Sequence, residues 1–241
     1  MSIQQVGVDR ALAWFVGGWR LFVSNPLNWI LAVLLFLAVN FGISLIPVLG
    51  QLAVTLMAPL LLAGLLEMAR QADNDRGFQV MDLFAAFMAE KRRNGLLLLG
   101  AMMLGAGIVI ALVMGVLEVG GVGIGVLFGG DSGAGAGFGL GMLGASVVIL
   151  ALGVCGAAAF MFAVPLIWFA SADPVTAVKS SIQAFLRNLP ALIVAALIYV
   201  VGAFIASIPF GLGWLVFAPV AIGALYLCYV DVFGRGGEII L

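Results

Sequence analysis

The chain has 241 residues, of which 65% are hydrophobic and only 9% are charged. Soluble domains are about half apolar and about a quarter charged, so this composition excludes an ordinary soluble protein. The formal net charge of −1 leaves no basic surface for phosphate backbones, and we expect no nucleic-acid partner. A lipid bilayer is the solvent that suits the remaining apolar surface.

Six apolar segments are each long enough to cross the hydrocarbon core as a helix, which takes about 20 residues. They lie at 27–46, 51–70, 95–117, 142–170, 190–208 and 213–233. Very short turns containing Pro47 and Pro209 join the first pair and the last pair. We therefore predict an all-α fold, a polytopic transmembrane helical bundle that forms a single domain over residues 1–241.

The basic residues predict the orientation of this bundle. All ten fall in segments that a six-span arrangement places on one side of the membrane. Basic residues next to spans mark the cytoplasmic side. The N-terminus, the segments 71–94 and 171–189, and the C-terminus are therefore expected in the cytoplasm.

The order of sequence signals predicts three internal repeats, each an interfacial helix followed by a transmembrane hairpin. The repeats cover 8–72, 78–171 and 173–234, and the second carries a glycine-rich extracytoplasmic insertion at 119–144. Each repeat has one asparagine before its first span and one proline within its second span. These structural positions are Asn25, Asn94, Asn188, Pro59, Pro165 and Pro219. Since proline bends a helix, the three bent spans either surround a shared cavity or pack closely.

Amphipathic helices are predicted ahead of the first span of each repeat, over 8–24, 80–93 and 174–187. The apolar face consists of Leu12, Phe15, Trp19, Phe22 and Val23 in the first helix and of Val175, Val178, Ile182, Phe185 and Leu186 in the third. Such helices lie in the membrane interface with basic residues toward the headgroups. The candidate headgroup contacts are Arg20, Lys91, Arg92, Arg93, Lys179 and Arg187. These helices either recognise anionic lipid or a soluble partner, or they only seat the bundle.

The residues that carry most enzyme chemistry are missing. The chain has no histidine, so a serine or cysteine nucleophile lacks its usual base. Glu67 precedes Arg70 by one helical turn, which predicts a local ion pair. We expect no catalytic residues, no metal site, no cofactor and no enzymatic activity. The insertion at 119–144 is either a flexible loop or a contact for a partner.

Three parts of the chain carry a resemblance to a known group of proteins. They are the helices that end in asparagine, GWRLFVSNP (18–26) and DPVTAVKSSIQAFLRN (173–188), and the turn SLIPVLG with the following APLLLAGLL. This plan resembles uncharacterised six-span bacterial inner-membrane families, including membrane domains found with some glycerophosphodiester phosphodiesterases. The resemblance implies the fold and a bacterial inner membrane, and it implies no reaction.

Two functions are compatible with these features. The first is a non-enzymatic accessory or scaffold subunit of a larger inner-membrane complex, which would have membrane lipids and that complex as partners. The second is a carrier or permeation path for a lipid or another apolar molecule. The scarcity of charge within the spans and the many small residues favour the first; the threefold repeat and the bent helices favour the second.

Overall fold

A computed structural model describes residues 3–234, except for the side chains of 117–145 and 147. Within that part of the chain the protein is all-helical. The helices are α1 Arg10–Ser24, α2 Pro26–Ser44, α3 Leu49–Asp73, α4 Ala85–Met88, α5 Glu90–Phe160, α6 Ala163–Ala170, α7 Pro174–Arg187, α8 Leu189–Ser207 and α9 Trp214–Phe233. A short 3-10 helix, Val80–Phe84, precedes α4.

Six helical stretches are long and apolar enough to cross a membrane, as predicted. They are Pro26–Ser44, Leu49–Asp73, Glu90–Val116, Val148–Ala170, Leu189–Ser207 and Trp214–Phe233. The fourth stretch consists of the end of α5 and the whole of α6, with a break at Met161 and Phe162. The predicted insertion at 119–144 lies within α5, whose backbone is helical from Glu90 to Phe160, so the expectation of a flexible loop there was wrong. Its side chains lie outside the described part of the structure, and a partner contact there stays a prediction.

The prediction of one amphipathic helix over 80–93 was wrong. The chain forms the 3-10 helix and α4, leaves helical geometry at Ala89 (φ −88°, ψ 81°) and begins α5 at Glu90. The Asp82 carboxylate accepts a hydrogen bond from the Gln79 N–H (2.8 Å), which fixes the start of the 3-10 helix. The backbone of Leu83 lies against Gly64 of α3, where a Cβ would overlap it. Tight packing on α3 therefore replaces a continuous helix here.

The two ends of the bundle differ in character. One end of the bundle carries arginines at four helix termini. Arg10 and Arg92 lie at the starts of α1 and α5, and Arg70 and Arg187 lie at the ends of α3 and α7. We call this the basic end. The turns at 45–48 and 208–213 lie at the opposite end, which we call the turn end.

The amphipathic segments pack on the second spans of the hairpins at the basic end. α1 packs on α9, the 3-10 helix and α4 pack on α3, and α7 packs on α5 and α6. The 3-10 helix and α4 therefore pack on the hairpin before them in the chain, and so does α7. The first segment, α1, packs on the last hairpin. The contacts form a closed ring that joins the two ends of the chain.

The helices α1 and α7 bury corresponding positions, which are all small residues in α7 and both small and large residues in α1. When the two are aligned on Asn25 and Asn188, four buried positions coincide. The pairs are Ala11 with Pro174, Trp14 with Ala177, Gly18 with Ser181, and Leu21 with Ala184. The predicted apolar faces instead contribute most of the exposed large side chains of these helices: Leu12, Trp19, Val23, Val175, Ile182 and Leu186. In a membrane protein these exposed faces suit lipid, whereas small residues allow close helix contact.

Burial is concentrated in the second spans and at the basic end. In α3, 56% of the apolar membrane-spanning stretch is buried, compared with 17% in α2 and in α8. The most buried large side chains, such as Trp29, Leu60 and Tyr229, belong to one cluster. At the turn end the hairpins expose most of their apolar surface, so the packed part of the fold is the basic half.

The contact between Gly18 and α9 generates a stability prediction. A Cβ at Gly18 would overlap the Val220 carbonyl oxygen, so Gly18→Ala should lower the unfolding free energy by about 1–3 kcal/mol. Gly42 faces open space in α2, and Gly42→Ala should be neutral or stabilise by up to about 1 kcal/mol through helix propensity. Thermal unfolding in detergent measures both. Equal effects of the two substitutions would contradict the packing described here.

Candidate functional site: the basic-end junction

Two of the three proline-containing spans, the fourth span and α9, meet at the basic end through aromatic side chains. The Phe169 ring of α6 lies 5.8 Å from the Tyr226 ring and 5.4 Å from the Tyr229 ring of α9, centre to centre. Nearby, Phe162 contacts Phe233 edge-on at 5.6 Å. Such aromatic pairs add about 0.5–1.5 kcal/mol each beyond the area they bury. The junction is therefore filled by side chains.

Glu67 of α3 is a buried carboxylate at this junction. It accepts hydrogen bonds from the Arg70 guanidinium (2.6 Å) and from the Trp168 indole N–H of α6 (2.9 Å). The predicted ion pair with Arg70 is confirmed, but the bond from Trp168 was not predicted. Arg70 also lies over the Phe169 ring at 5.4 Å, and Arg92 lies over Trp168 at 5.1 Å. These contacts join α3, α5 and α6, so Glu67 acts as a structural group.

A second carboxylate repeats this arrangement between α1 and α9. Asp231 accepts two hydrogen bonds from the Arg10 guanidinium (2.9 and 2.8 Å) and one from the Trp14 indole N–H (2.6 Å). Both carboxylates therefore bind one arginine and one tryptophan. The sequence offers no local signal for this contact, because the partners lie at opposite ends of the chain.

Asn188 holds the N-terminal segment against the basic end. Its side chain is fully buried; it accepts a hydrogen bond from the Val6 N–H (2.8 Å) and donates to the carbonyls of Gln4 (3.1 Å) and Ala184 (3.0 Å). The Gln4 N–H donates to the Val232 carbonyl (2.9 Å). One amide side chain thus ties the N-terminal segment to the end of α7, while the Gln4 N–H bonds the same segment to α9.

The other structural positions have different environments. Asn25 caps α2 by accepting a bond from the Asn28 N–H at 3.4 Å, whereas Asn94 is exposed inside α5. The three prolines Pro59, Pro165 and Pro219 are all buried within their spans. The asparagines therefore share a place in the chain but not a role.

The predicted headgroup contacts divide into two groups. Arg20, Lys91 and Lys179 are exposed and make no hydrogen bond or ion pair within the described part of the chain. Arg92 lies over Trp168, and the guanidiniums of Arg93 and Arg187 donate to the carbonyls of Phe87 (3.3 Å) and Ile3 (3.4 Å). The first three are therefore the ones available to phosphate groups.

A small polar cleft of about 440 Å³ opens beside the end of α3. It is lined by Glu67, Arg70, Gln71, Asn74, Arg76 and Gly77. Its carboxylate already binds Arg70 and Trp168, and the end of a helix favours cations over anions. Among the described residues, no group of three or more acidic residues or cysteines has the arrangement of a metal site.

No protein-family model, curated protein or solved structure matches this chain. The resemblance to six-span inner-membrane families therefore stays a prediction.

Asn188 and Asn94 provide a matched pair of substitutions. Asn188→Ala should lower the unfolding free energy by about 1–3 kcal/mol, since it leaves the Val6 N–H and the Gln4 carbonyl without the partner that Asn188 provides. It should also expose residues 3–8 to limited proteolysis. Asn94→Ala, at an exposed position, should change neither measurement. Resistance of the N-terminal segment to protease in Asn188→Ala would contradict this role.

Proposed function

We propose that this chain is a non-enzymatic scaffold or accessory subunit of a larger complex in the bacterial inner membrane. Both termini lie in the cytoplasm in this proposal, because all the basic residues belong to one side of the six-span arrangement. The filled junction of the bent spans supports a packing role. The two central carboxylates, Glu67 and Asp231, are held by arginine and tryptophan, as expected of structural groups.

The proposal includes three pseudo-repeats. The matching buried positions of α1 and α7 support it, and so do α3 and α9. Aligned on Pro59 and Pro219, these two spans bury equivalent positions: Leu60 with Val220, Ala63 with Gly223, Gly64 with Ala224, Leu66 with Tyr226, and Ala72 with Val232. The first spans α2 and α8 are both 19 residues long. The second repeat follows the same plan of contacts with a shorter amphipathic segment.

The observation that carries the scaffold proposal is an exposed small-residue face on α5. Ala101 and Gly105 lie one turn apart on this face, between the exposed side chains of Leu98 and Val109. A Cβ at Gly105 would meet nothing within 4 Å among the described residues, whereas one at Gly100 would overlap Leu56 of α3. Small residues one turn apart let another transmembrane helix approach closely. Gly100 packs within the fold, and Gly105 is free for a neighbour.

A carrier for a lipid or another apolar molecule is the second candidate. The observation in its favour is the sparse packing of the hairpins at the turn end, where α2 and α8 are mostly exposed. The aromatic junction at the basic end opposes a continuous path across the membrane, because Phe162, Phe169 and Tyr229 occupy the centre. A carrier would have to open this junction.

Native mass spectrometry of the protein extracted in mild detergent tests the scaffold proposal. We expect a stoichiometric complex with another protein. Gly105→Leu should greatly reduce that complex because the larger side chain blocks a close helix, and Gly105→Ala should retain most of it. Gly100→Leu is the comparison that should damage the fold itself.

A lone wild-type chain that retains a defined lipid or another apolar molecule would overturn the scaffold proposal and favour the carrier. A complex that survives Gly105→Leu unchanged would exclude this face of α5 as the contact.

A further inference from the structure

The two turns of the first and last hairpins present only large apolar side chains. Exposed fractions reach 74% at Val48 and 102% at Phe210. Their neighbours are also more than half exposed: Leu45, Ile46, Leu49, Ile208 and Leu212. Burying one such side chain is worth about 1.5–3 kcal/mol relative to leaving it in water. Turns that reached water would therefore carry a large cost.

The charged residues of these two hairpins are confined to the basic end. None occurs between Arg20 and Glu67, and none occurs between Arg187 and Asp231. The basic end contains the ion pairs of Arg10 with Asp231 and of Arg70 with Glu67. Within these two hairpins, therefore, only the basic end carries charged groups that require the water boundary.

The serine hydroxyls next to the turns are satisfied within the chain, whereas the exposed Gln51 side chain makes no hydrogen bond within the described residues. The Ser44 hydroxyl donates to the Phe41 carbonyl (2.8 Å), and the Ser207 hydroxyl donates to the Ala203 carbonyl (2.8 Å) while accepting from the Trp214 indole (3.1 Å). Several turn N–H groups bond within the turns, such as Gly50 to Ile46 (2.8 Å) and Gly211 to Ser207 (3.2 Å). Pro47 and Pro209 have no N–H to satisfy. Such internal bonding is what a water-free environment requires.

The lengths of the helices match this environment. At 1.5 Å per residue, the 19 residues of α2 and of α8 span about 28 Å, and the hydrocarbon core is about 30 Å thick. With the basic end at one water boundary, the turns reach the far edge of the hydrocarbon and not the water beyond it.

The backbone at both turns adopts a conformation that favours glycine. Val48 has φ 63° and Phe210 has φ 51°, yet both positions carry bulky apolar residues. Non-glycine residues in this region cost of order 1–3 kcal/mol unless their surroundings compensate.

We propose that the turns at 45–48 and 208–213 are lipid-inserted tips whose partner is the acyl-chain edge of the far leaflet. The hairpins end beneath the headgroups, and their tips offer no surface to a soluble protein on that side. This inference goes beyond the scaffold proposal and does not depend on it.

Site-directed spin labelling tests the tips directly. Single cysteines replace Phe210 or Val48 in a chain whose two native cysteines are substituted, and the labelled protein is reconstituted into phosphatidylethanolamine–phosphatidylglycerol vesicles. We compare collisions with oxygen, which concentrates in lipid, and with a water-soluble nickel chelate. Leu197→Cys, on the exposed face of α8, is the lipid control, and Arg76→Cys, exposed at the basic end, is the water control.

We expect labels at both tips to show high oxygen and low nickel accessibility, as at position 197. Nickel accessibility equal to that at position 76 would overturn the proposal by placing the tips in water. Low accessibility to both reagents would also overturn it, because protein and not lipid would then cover the tips. Thermal unfolding in the same vesicles identifies any variant that fails to fold, and Phe210→Asp should lower the midpoint more than Phe210→Leu.

Discussion

The close contact of α1 with α9 is the constraint on which the closed bundle depends. Gly18 and Gly223 meet backbone to backbone, and a Cβ on either would overlap the other helix. At the end of the same contact, Asp231 binds Arg10 and Trp14. These contacts join the first helix to the last, which closes the ring formed by the other amphipathic segments. Further contacts of α2 and α3 with α9 join the first and last hairpins in the same region.

A bilayer environment explains which residues mediate helix contacts and which face outward. Burying large apolar groups gains little when lipid is the alternative, so helices associate through small residues and through hydrogen bonds. Ser181 illustrates both: it fits against the break between α5 and α6, accepts from the Phe162 N–H (3.1 Å) and donates to the Ala158 carbonyl (2.7 Å). Large apolar side chains face outward along the hairpins and at their tips. The protein is thus firmly packed at its basic end and is surrounded by lipid elsewhere.

Much of this architecture was predictable from the sequence, and the failures have a common cause. Span length and composition predicted the six membrane-crossing stretches, and Asp173–Pro174 marked the start of α7 to the residue. Amphipathic periodicity, however, grouped exposed residues of α1 and α7, such as Leu12 and Val175, with residues that pack on the core, such as Phe22. Trp14 and Trp168 were missed because their carboxylate partners are distant in sequence and only the fold brings them together. The ion pair of Glu67 was predictable because it lies within one helical turn.

A double-mutant cycle across α1 and α9 tests this account most directly. The unfolding free energy is measured in detergent for Trp14→Phe, for Asp231→Ala and for the double variant. Glu90→Ala, which removes an exposed carboxylate, is the control. The ring-closure account predicts a loss of about 2 kcal/mol for Asp231→Ala and a coupling energy of about 1 kcal/mol or more between the two sites. Additive effects, or a loss no larger than that of Glu90→Ala, would contradict it.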